Sequence, residues 1–296
     1  MRPMSPTQDA VARGWVELGD RVFVRRYAFY DQNIGVVLGD GETLVIDTRS
    51  TYPQAREIAA HLRDLTSFPV TVVVNSHGHF DHAFGNRLFR PATIWGHHGC
   101  VPFMERTGEA RKAAIGADEP DLAVDLAEVV VDPPDRTFAE AATIEVGGRE
   151  VELTFLGRAH TDHDIAIAVP GTGVLFGGDL VEQGAVPFYG DGYPFDWPAT
   201  AAALARMVDP ATGVLVPGHG DPGGRTFADG QAASIAALAD LARQVHAGAM
   251  SLDQAVAAHP FPELPADHAR PGFDRALRQL RVGTESSQLN DADGQR

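Results

Sequence analysis

Three histidines and an aspartate fall within six residues in the run His77-Gly78-His79-Phe80-Asp81-His82. Imidazole is the commonest metal-binding side chain, and an interleaved carboxylate adds a hard oxygen donor. His77 and His79 alternate, so an extended or turning loop can bring both to one ion. Asp81 and His82 follow on the turn and can face a second position. Three more able side chains arrive in the same way farther along. The alternating run 151–156 leads to Gly157-Arg158-Ala159-His160-Thr161, Val174-Leu175-Phe176 leads to Gly177-Gly178-Asp179, and Val214-Leu215-Val216 leads to Pro217-Gly218-His219-Gly220. Glycine close to each lets backbone approach tightly. One such histidine alone would more often be structural. Four strand-end deliveries together point to a metal centre rather than to a solvated histidine-rich loop.

Strands must carry these residues. Val72-Val73-Val74 is an apolar, β-branched run that ends abruptly in the polar cluster, so it reads as a buried strand with its chemistry at the carboxyl end. Ahead of it, 22–27, 33–38 and 43–47 read as strands, with Gly39-Asp40-Gly41 as a hairpin turn. Residues 53–65 have helical spacing, with Ala55, Ile58, Ala59, Leu62 and Leu65 facing inward. A short helix over 83–89, a strand over 92–95 and a helix over 99–115 follow. The acidic, proline-bearing stretch 116–136 reads as an excursion across the surface. Hairpins are expected over 143–156 and 164–176. The stretch 183–197, rich in glycine and aromatics, reads as a loop. Helices are expected over 199–208, 229–249, 252–258 and 273–282, and a strand over 213–216. Strands and helices thus occur twice over, and two such halves face to face bury two sheets between outer helices. The divisions are an extension over 1–20, a catalytic domain over 21–250, a helical segment over 251–282 and a polar, disordered tail over 283–296.

Composition narrows the function. The formal net charge of −16 over 296 residues argues against a nucleic-acid or anionic-membrane surface. Lys112 is the only lysine, and Cys100 is the only cysteine, so neither an intrachain disulfide nor a cysteine-based zinc site is available. The start of the chain lacks the apolar core of a signal peptide, and no apolar run reaches membrane-spanning length. The expectation is a cytoplasmic protein acting on a small molecule, with homo-oligomerisation left open.

Taken together, Asp47 in Val45-Ile46-Asp47-Thr48, the 77–82 cluster, His160, Asp179 and His219 resemble the metallo-β-lactamase superfamily over roughly 22–219. The resemblance implies an α/β fold, a four-layer αββα sandwich with a binuclear site on one edge. It implies that His77, His79 and His160 hold one metal, that Asp81, His82 and His219 hold the other, and that Asp179 bridges. Two Zn2+ suit the donors, with Fe or Mn as alternatives. A water held between two ions loses its proton near neutrality, so a bridging hydroxide replaces a serine or cysteine nucleophile. Asp81 is then also the catalytic acid–base group. Asp47 orients the histidine loop, and Thr161 and Asp164 do the same beside His160.

Within the superfamily, Gly177-Gly178-Asp179-Leu180-Val181-Glu182 is similar to the matching segment of first-subclass zinc β-lactamases, with two departures. Asp179 stands where those enzymes have a cysteine ligand, as in glyoxalase II and lactonase-like hydrolases. Glu182 stands where they use lysine to hold the substrate carboxylate. The function implied is hydrolysis of an ester, lactone, thioester or amide. The alternatives are β-lactamase-type activity or a mononuclear iron dioxygenase of the same fold. Glu182, Tyr189, Tyr193, Trp197 and His98 are candidate substrate contacts, and His97 shares the position of His98. Phe188 and Phe195 belong to the same aromatic loop. His61, His163, His246, His259 and His268 read as surface residues.

Overall fold

Alternating apolar residues give a strand two usable faces, and the computed structural model of this chain uses both. It describes residues 14–293, with side chains through residue 282. The first sheet has seven strands in the order β1 (Val16–Gly19), β2 (Val22–Tyr27), β3 (Gln32–Leu38), β4 (Thr43–Ile46), β5 (Val70–Val74), β6 (Thr93–His97) and β7 (Arg136–Phe138). Strands β1 to β4 form an antiparallel meander, and β4 to β7 run parallel. The second sheet comprises β8 (Ala141–Val146), β9 (Arg149–Phe155), β10 (Ile165–Val169), β11 (Val174–Gly178) and β12 (Val214–Pro217) in the order β12-β11-β10-β9-β8. Only β11 and β12 are a parallel pair there.

The sheets face each other across a core that includes Val37, Leu44, Val74, Leu153, Ile167 and Phe176. Gly35 belongs on this inner face, because a Cβ there would lie 2.5 Å from the Phe176 ring. The opposite face of the first sheet, with Ile34, Val36, Val45 and Val73, packs on α1 (Tyr52–Leu65). Thr51 caps α1 by accepting from the Gln54 amide, and Ala55, Ile58 and Leu62 are its buried stripe. Ala59 and Leu65 are only half-buried. The outer face of the second sheet is covered by α5 (Trp197–Met207), α6 (Arg225–His246), α7 (Leu252–Ala257) and α8 (Arg270–Asp293). Helix, sheet, sheet, helix is the expected four-layer arrangement.

Several boundaries differ from the sequence reading. The short helix expected over 83–89 is instead one turn of α2 (Phe80–Ala83) followed by a 3-10 turn at Asn86–Phe89. His79 sits at the start of α2 in extended backbone, so the loop turns helical inside the histidine cluster itself. Helix α3 (Cys100–Asp118) runs three residues past its expected end, and the surface excursion contains α4 (Ala123–Glu128). The 1–20 extension contributes β1 as an edge strand, and residues 1–13 lie outside the described residues. Helix α8 continues to Asp293, into the tail whose polar composition predicts disorder. Among the described residues no helix is long and apolar enough to cross a membrane.

Strand direction is what matters for the site. Strands β4 and β5 are parallel, and β9 runs the same way as β11 and β12 because it is antiparallel to β10, which is antiparallel to β11. The carboxyl ends of β4, β5, β9, β11 and β12 therefore deliver Asp47, the 77–82 cluster, His160, Asp179 and His219 to one edge. The two sheets are tied there by backbone. Asn33 donates its amide to Gly218 (2.8 Å) and Gly220 donates to Asp31 (2.9 Å). The Asn33 side chain donates to the carbonyls of Pro217 and Gly220.

Candidate metal centre

Seven of the sequence-predicted side chains converge at this edge, in overlapping groups whose donor atoms lie within 4.8 Å of one another: His77, His79 and His160; His77, His82 and Asp179; Asp81, His82 and His219. Asp179 sits between the groups. Its Oδ2 lies 3.4 Å from His160 Nε2 and 3.5 Å from His219 Nε2, and its Oδ1 lies 3.4 Å from His82 Nε2. Asp81 Oδ2 is 3.3 Å from both His82 Nε2 and His219 Nε2.

Ring orientation shows what the cluster can bind. A carbonyl oxygen can only accept a hydrogen bond, so a ring nitrogen facing one must carry the proton. His160 Nδ1 faces the Phe188 carbonyl at 2.9 Å, and His219 Nδ1 faces the Tyr30 carbonyl at 2.7 Å. Carboxylates serve the same purpose for two more rings. His82 Nδ1 donates to Asp47 at 2.8 Å, and His79 Nε2 donates to Asp191 at 2.9 Å. Tautomers assigned from these partners leave the inward nitrogen of each neutral ring as a lone pair. Those lone pairs meet: His79 Nδ1 lies 2.8 Å from His160 Nε2, and His82 Nε2 lies 3.2 Å from His219 Nε2. His77 Nε2 and Asp179 Oδ1 are buried with no hydrogen-bond partner at all. Facing lone pairs, orphaned donor atoms and carboxylates at this spacing fit a cation shared among them.

Charge tells the same story. Burial pushes His77 well below its ordinary value and His79 down to about 4, which keeps both rings neutral and able to ligate. Burial also opposes ionisation of Asp179, yet His82, His219 and His77 hold its carboxyl well below the usual range. Burial lowers His82 and His219 too, but Asp179 and Asp81 outweigh it and raise both. Positive charge is drawn to that pair, whether as protons or as a metal ion.

Asp47 is held in left-handed backbone at φ 65°, just past β4. Its carboxylate accepts from the amide and hydroxyl of Ser76, both at 2.7 Å, besides the His82 ring. The base of the histidine loop and one of its rings thus share one anchor. Thr161 and Asp164 staple the turn after His160, the Thr161 amide donating to Asp164 at 2.6 Å. Gly178, at φ 50°, brings the two sheets so close that a Cβ would lie 2.8 Å from Ser76 Cβ.

A cavity of about 500 Å³ opens over the cluster, lined by Tyr30, Phe80, Arg111, Ile115, Glu182 and Phe188 besides the histidines and aspartates. Glu182 is 6% exposed and accepts from the Phe188 amide at 3.0 Å. Burial and the Asp179 charge push its carboxyl up to about 7. The other candidate substrate contacts lie elsewhere. Tyr189 and Trp197 pack against each other with their rings tilted by 51° and their centroids 4.8 Å apart, inside the helix-side core, where Trp197 opens α5 and the Tyr189 ring meets Gly272 of α8. Phe195 packs partly buried against that core, and Tyr193 bonds to Asp162. His97 stacks on Phe155 and His98 is exposed beside the Phe138 carbonyl, so neither reaches the cavity. His163 is fully buried rather than solvent-facing, since it fills the space beside Gly78 and the Phe103 ring. His61 is half-buried under Tyr27, and His259 is half-buried too, while His246 and His268 are exposed as expected.

Sequence reasoning missed Asp191, Arg111, Ser76 and the carbonyls of Tyr30 and Phe188. Asp191 had one visible signal, as a carboxylate between Gly190 and Gly192 in an aromatic loop. Backbone carbonyls carry none.

A two-sheet sandwich with imidazoles and carboxylates gathered at one edge is the scaffold of a metal-dependent enzyme. The chain belongs to the metallo-beta-lactamase superfamily, whose profile matches residues 28–219. It is 22% identical over 219 residues to a metallo-beta-lactamase type 2 from Bacteroides fragilis, covering 70% of this chain and 79% of that one. It is 25% identical over 195 residues to a metallo-beta-lactamase type 2 from Bacillus cereus, covering 64% and 68%. Among solved structures it is similar to a metallo-beta-lactamase from Pontibacter korlensis, with a TM-score of 0.62, 19% identity and coverage of 75% of this chain and 98% of that one. It is also similar to the DIM-1 metallo-beta-lactamase, with a TM-score of 0.60, 17% identity and coverage of 75% and 96%. Membership supports metal-dependent hydrolysis as the class of chemistry.

Gly218 leaves room for the central carboxylate, since a Cβ there would lie 1.9 Å from Asp179 Oδ1. Gly218→Ala is expected to displace Asp179 and weaken metal uptake by about tenfold or more, the scale seen when a ligand's support is lost, with the circular dichroism spectrum unchanged. Unaltered uptake, measured by elemental analysis after dialysis, would show that Asp179 takes no part.

Proposed function

We propose that this protein is a binuclear zinc hydrolase acting on an ester, lactone, thioester or amide bond of a small molecule. The observation that carries this reading is the pairing of inward donors with outward anchors. His79, His82, His160 and His219 each present one nitrogen to the basin and fix the other on an acceptor. His77, His79 and His160 would hold one ion and Asp81, His82 and His219 the other, with Asp179 between. Imidazole and carboxylate donors without sulfur suit zinc, and iron or manganese would accept them too. Two such ions supply Lewis acidity and a water of lowered pKa. Because both sets of donors are complete, a mononuclear iron enzyme is the weaker reading.

The chain's own residues do the rest. Asp81 reaches the basin from the first turn of α2, and it can take a proton from the attacking water and return one to the leaving group. Phe80, Ile115 and Phe188 give the cavity an apolar wall that holds a small acyl or alkyl group and excludes water. The cavity's size and the chain's net charge of −16 both favour a small molecule over nucleic acid. The relatives' names raise β-lactam turnover as a second reading. Glu182 argues against it. A cation held by His160 and Asp179 would favour its ionised form, and Arg111 on the cavity wall is already engaged by Asp191. A substrate carboxylate about 4 Å from Glu182 would meet a repulsion of about 4 kcal/mol at an effective dielectric of about 20. Neutral esters and lactones avoid it.

Elemental analysis of protein purified without chelator is expected to give more than one zinc per chain, and a saturating ratio of one iron would sink the zinc reading. Asp81→Asn should lower kcat by about two decades or more with the fold retained, and near-normal turnover would remove Asp81 from the mechanism. Glu182→Gln should lower KM for a penicillin by about tenfold, equivalent to about 1.4 kcal/mol, and leave KM for a neutral lactone nearly unchanged. Efficient penicillin hydrolysis by the wild type, with no gain from that substitution, would refute the selectivity argument and leave the metal assignment standing.

A further inference from the structure

The profile match ends at residue 219, yet a residue far beyond it reaches back to a loop that anchors the basin. Arg275 on α8 donates from Nε to the Gly192 carbonyl at 2.8 Å and from Nη2 to the Asp191 carbonyl at 3.3 Å. One planar guanidinium therefore grips two successive carbonyls and fixes the peptide plane between them. Asp191 needs such a grip because Gly190 and Gly192 flank it, and glycine leaves backbone free to rotate. The Asp191 carboxylate in turn accepts a hydrogen bond from His79 Nε2 at 2.9 Å, which turns His79 Nδ1 into the basin beside His160.

Helix α8 is shaped for this reach. Gly272 lies three positions before Arg275, on the same face. A Cβ at 272 would lie 2.9 Å from the Tyr189 ring, so its absence lets α8 settle against the loop that carries Asp191. Arg111 from α3 holds the carboxylate of the same residue. Asp191 is thus clasped through its side chain by a helix beside the first sheet and through its main chain by a helix covering the second. Arg275 does not line the cavity, so it can act on the basin only through the loop.

We infer that Arg275 is a positioning residue for the His77, His79 and His160 metal site, acting through the Asp191–Gly192 backbone and the Asp191–His79 hydrogen bond. The inference rests on the hydrolase reading above. Its test is the zinc affinity of the full chain, measured by competition with a chromophoric chelator, together with the Tm of the metal-free protein. Arg275→Ala should weaken one of two zinc sites about tenfold, the range typical of outer hydrogen-bond partners. The other site should stay within about twofold, and the metal-free Tm should not move. Asp191→Ala should weaken the same site, and the double variant should be no weaker than Asp191→Ala alone, because the two act in series. Arg275→Lys should recover part of the loss, since an ammonium can still reach one carbonyl. Two sites that ignore Arg275, two sites that weaken alike with a fall in the metal-free Tm, or additive losses would each overturn the inference while the hydrolase reading stands. A wild type that takes up no zinc would overturn that reading and this inference with it.

Discussion

Imidazole lone pairs gathered in a buried basin repel one another unless something positive lies between them, and the whole edge of this protein is arranged around that demand. Each ring could escape by turning over. Four are prevented, two by carbonyls and two by carboxylates on their outer nitrogens. Those anchors come from four separate places: the turn after β4, the 3-10 turn before β3, and two points in the loop between β11 and α5. Asp47, Tyr30, Phe188 and Asp191 thus keep the basin open as a cation site in a molecule that would gain by relaxing it. The carboxylates Asp81 and Asp179 then attract the charge that the lone pairs require.

The residues that converge at the edge were legible in the sequence as candidate donors, and their anchors mostly were not. A ligand must be histidine or an acid, and each one follows an apolar run that reads as a strand, so His77 through His219 stood out by chemistry and placement together. Asp47 stood out for the same reason, at the end of β4. The anchors at Tyr30 and Phe188 are main-chain oxygens, which every residue carries. Asp191 was hidden by its neighbours, since the loop reads as aromatic and Tyr189 and Trp197 drew the functional interpretation. Those two rings are core residues instead. An aromatic side chain offers a large area to bury, and the gap under α5 and α8 uses that area. His163 shows the converse error, because a polar residue three positions past His160 is drawn inward when the turn itself is buried.

Fold class was easier to reach than element ends. Two runs of strands and helices sufficed for four layers. The helix inside the histidine cluster was missed because His-Phe-Asp-His gives no period to read, and only the backbone hydrogen bonds from Ala83 to His79 and from Phe84 to Phe80 distinguish one helical turn from a loop. The close contacts between sheets rest on glycines whose role is invisible without the partner: Gly35 against Phe176, Gly178 against Ser76 and Gly218 against Asp179.

The ligand order along the chain has a kinetic meaning. His77, His79, Asp81 and His82 lie within one loop of the first sheet, whereas His160, Asp179 and His219 belong to the second. A weak half-site can form as soon as β5 and α2 exist, but a complete one must wait for the two sheets to meet, which closes loops of roughly 80 to 140 residues. A cation taken up by the completed basin would therefore act as a latch on sheet docking, at one end only. With the latch drawn, the sheets stay joined along their apolar interior and, at the edge that carries the chemistry, by the Asn33–Gly218 and Gly220–Asp31 hydrogen bonds.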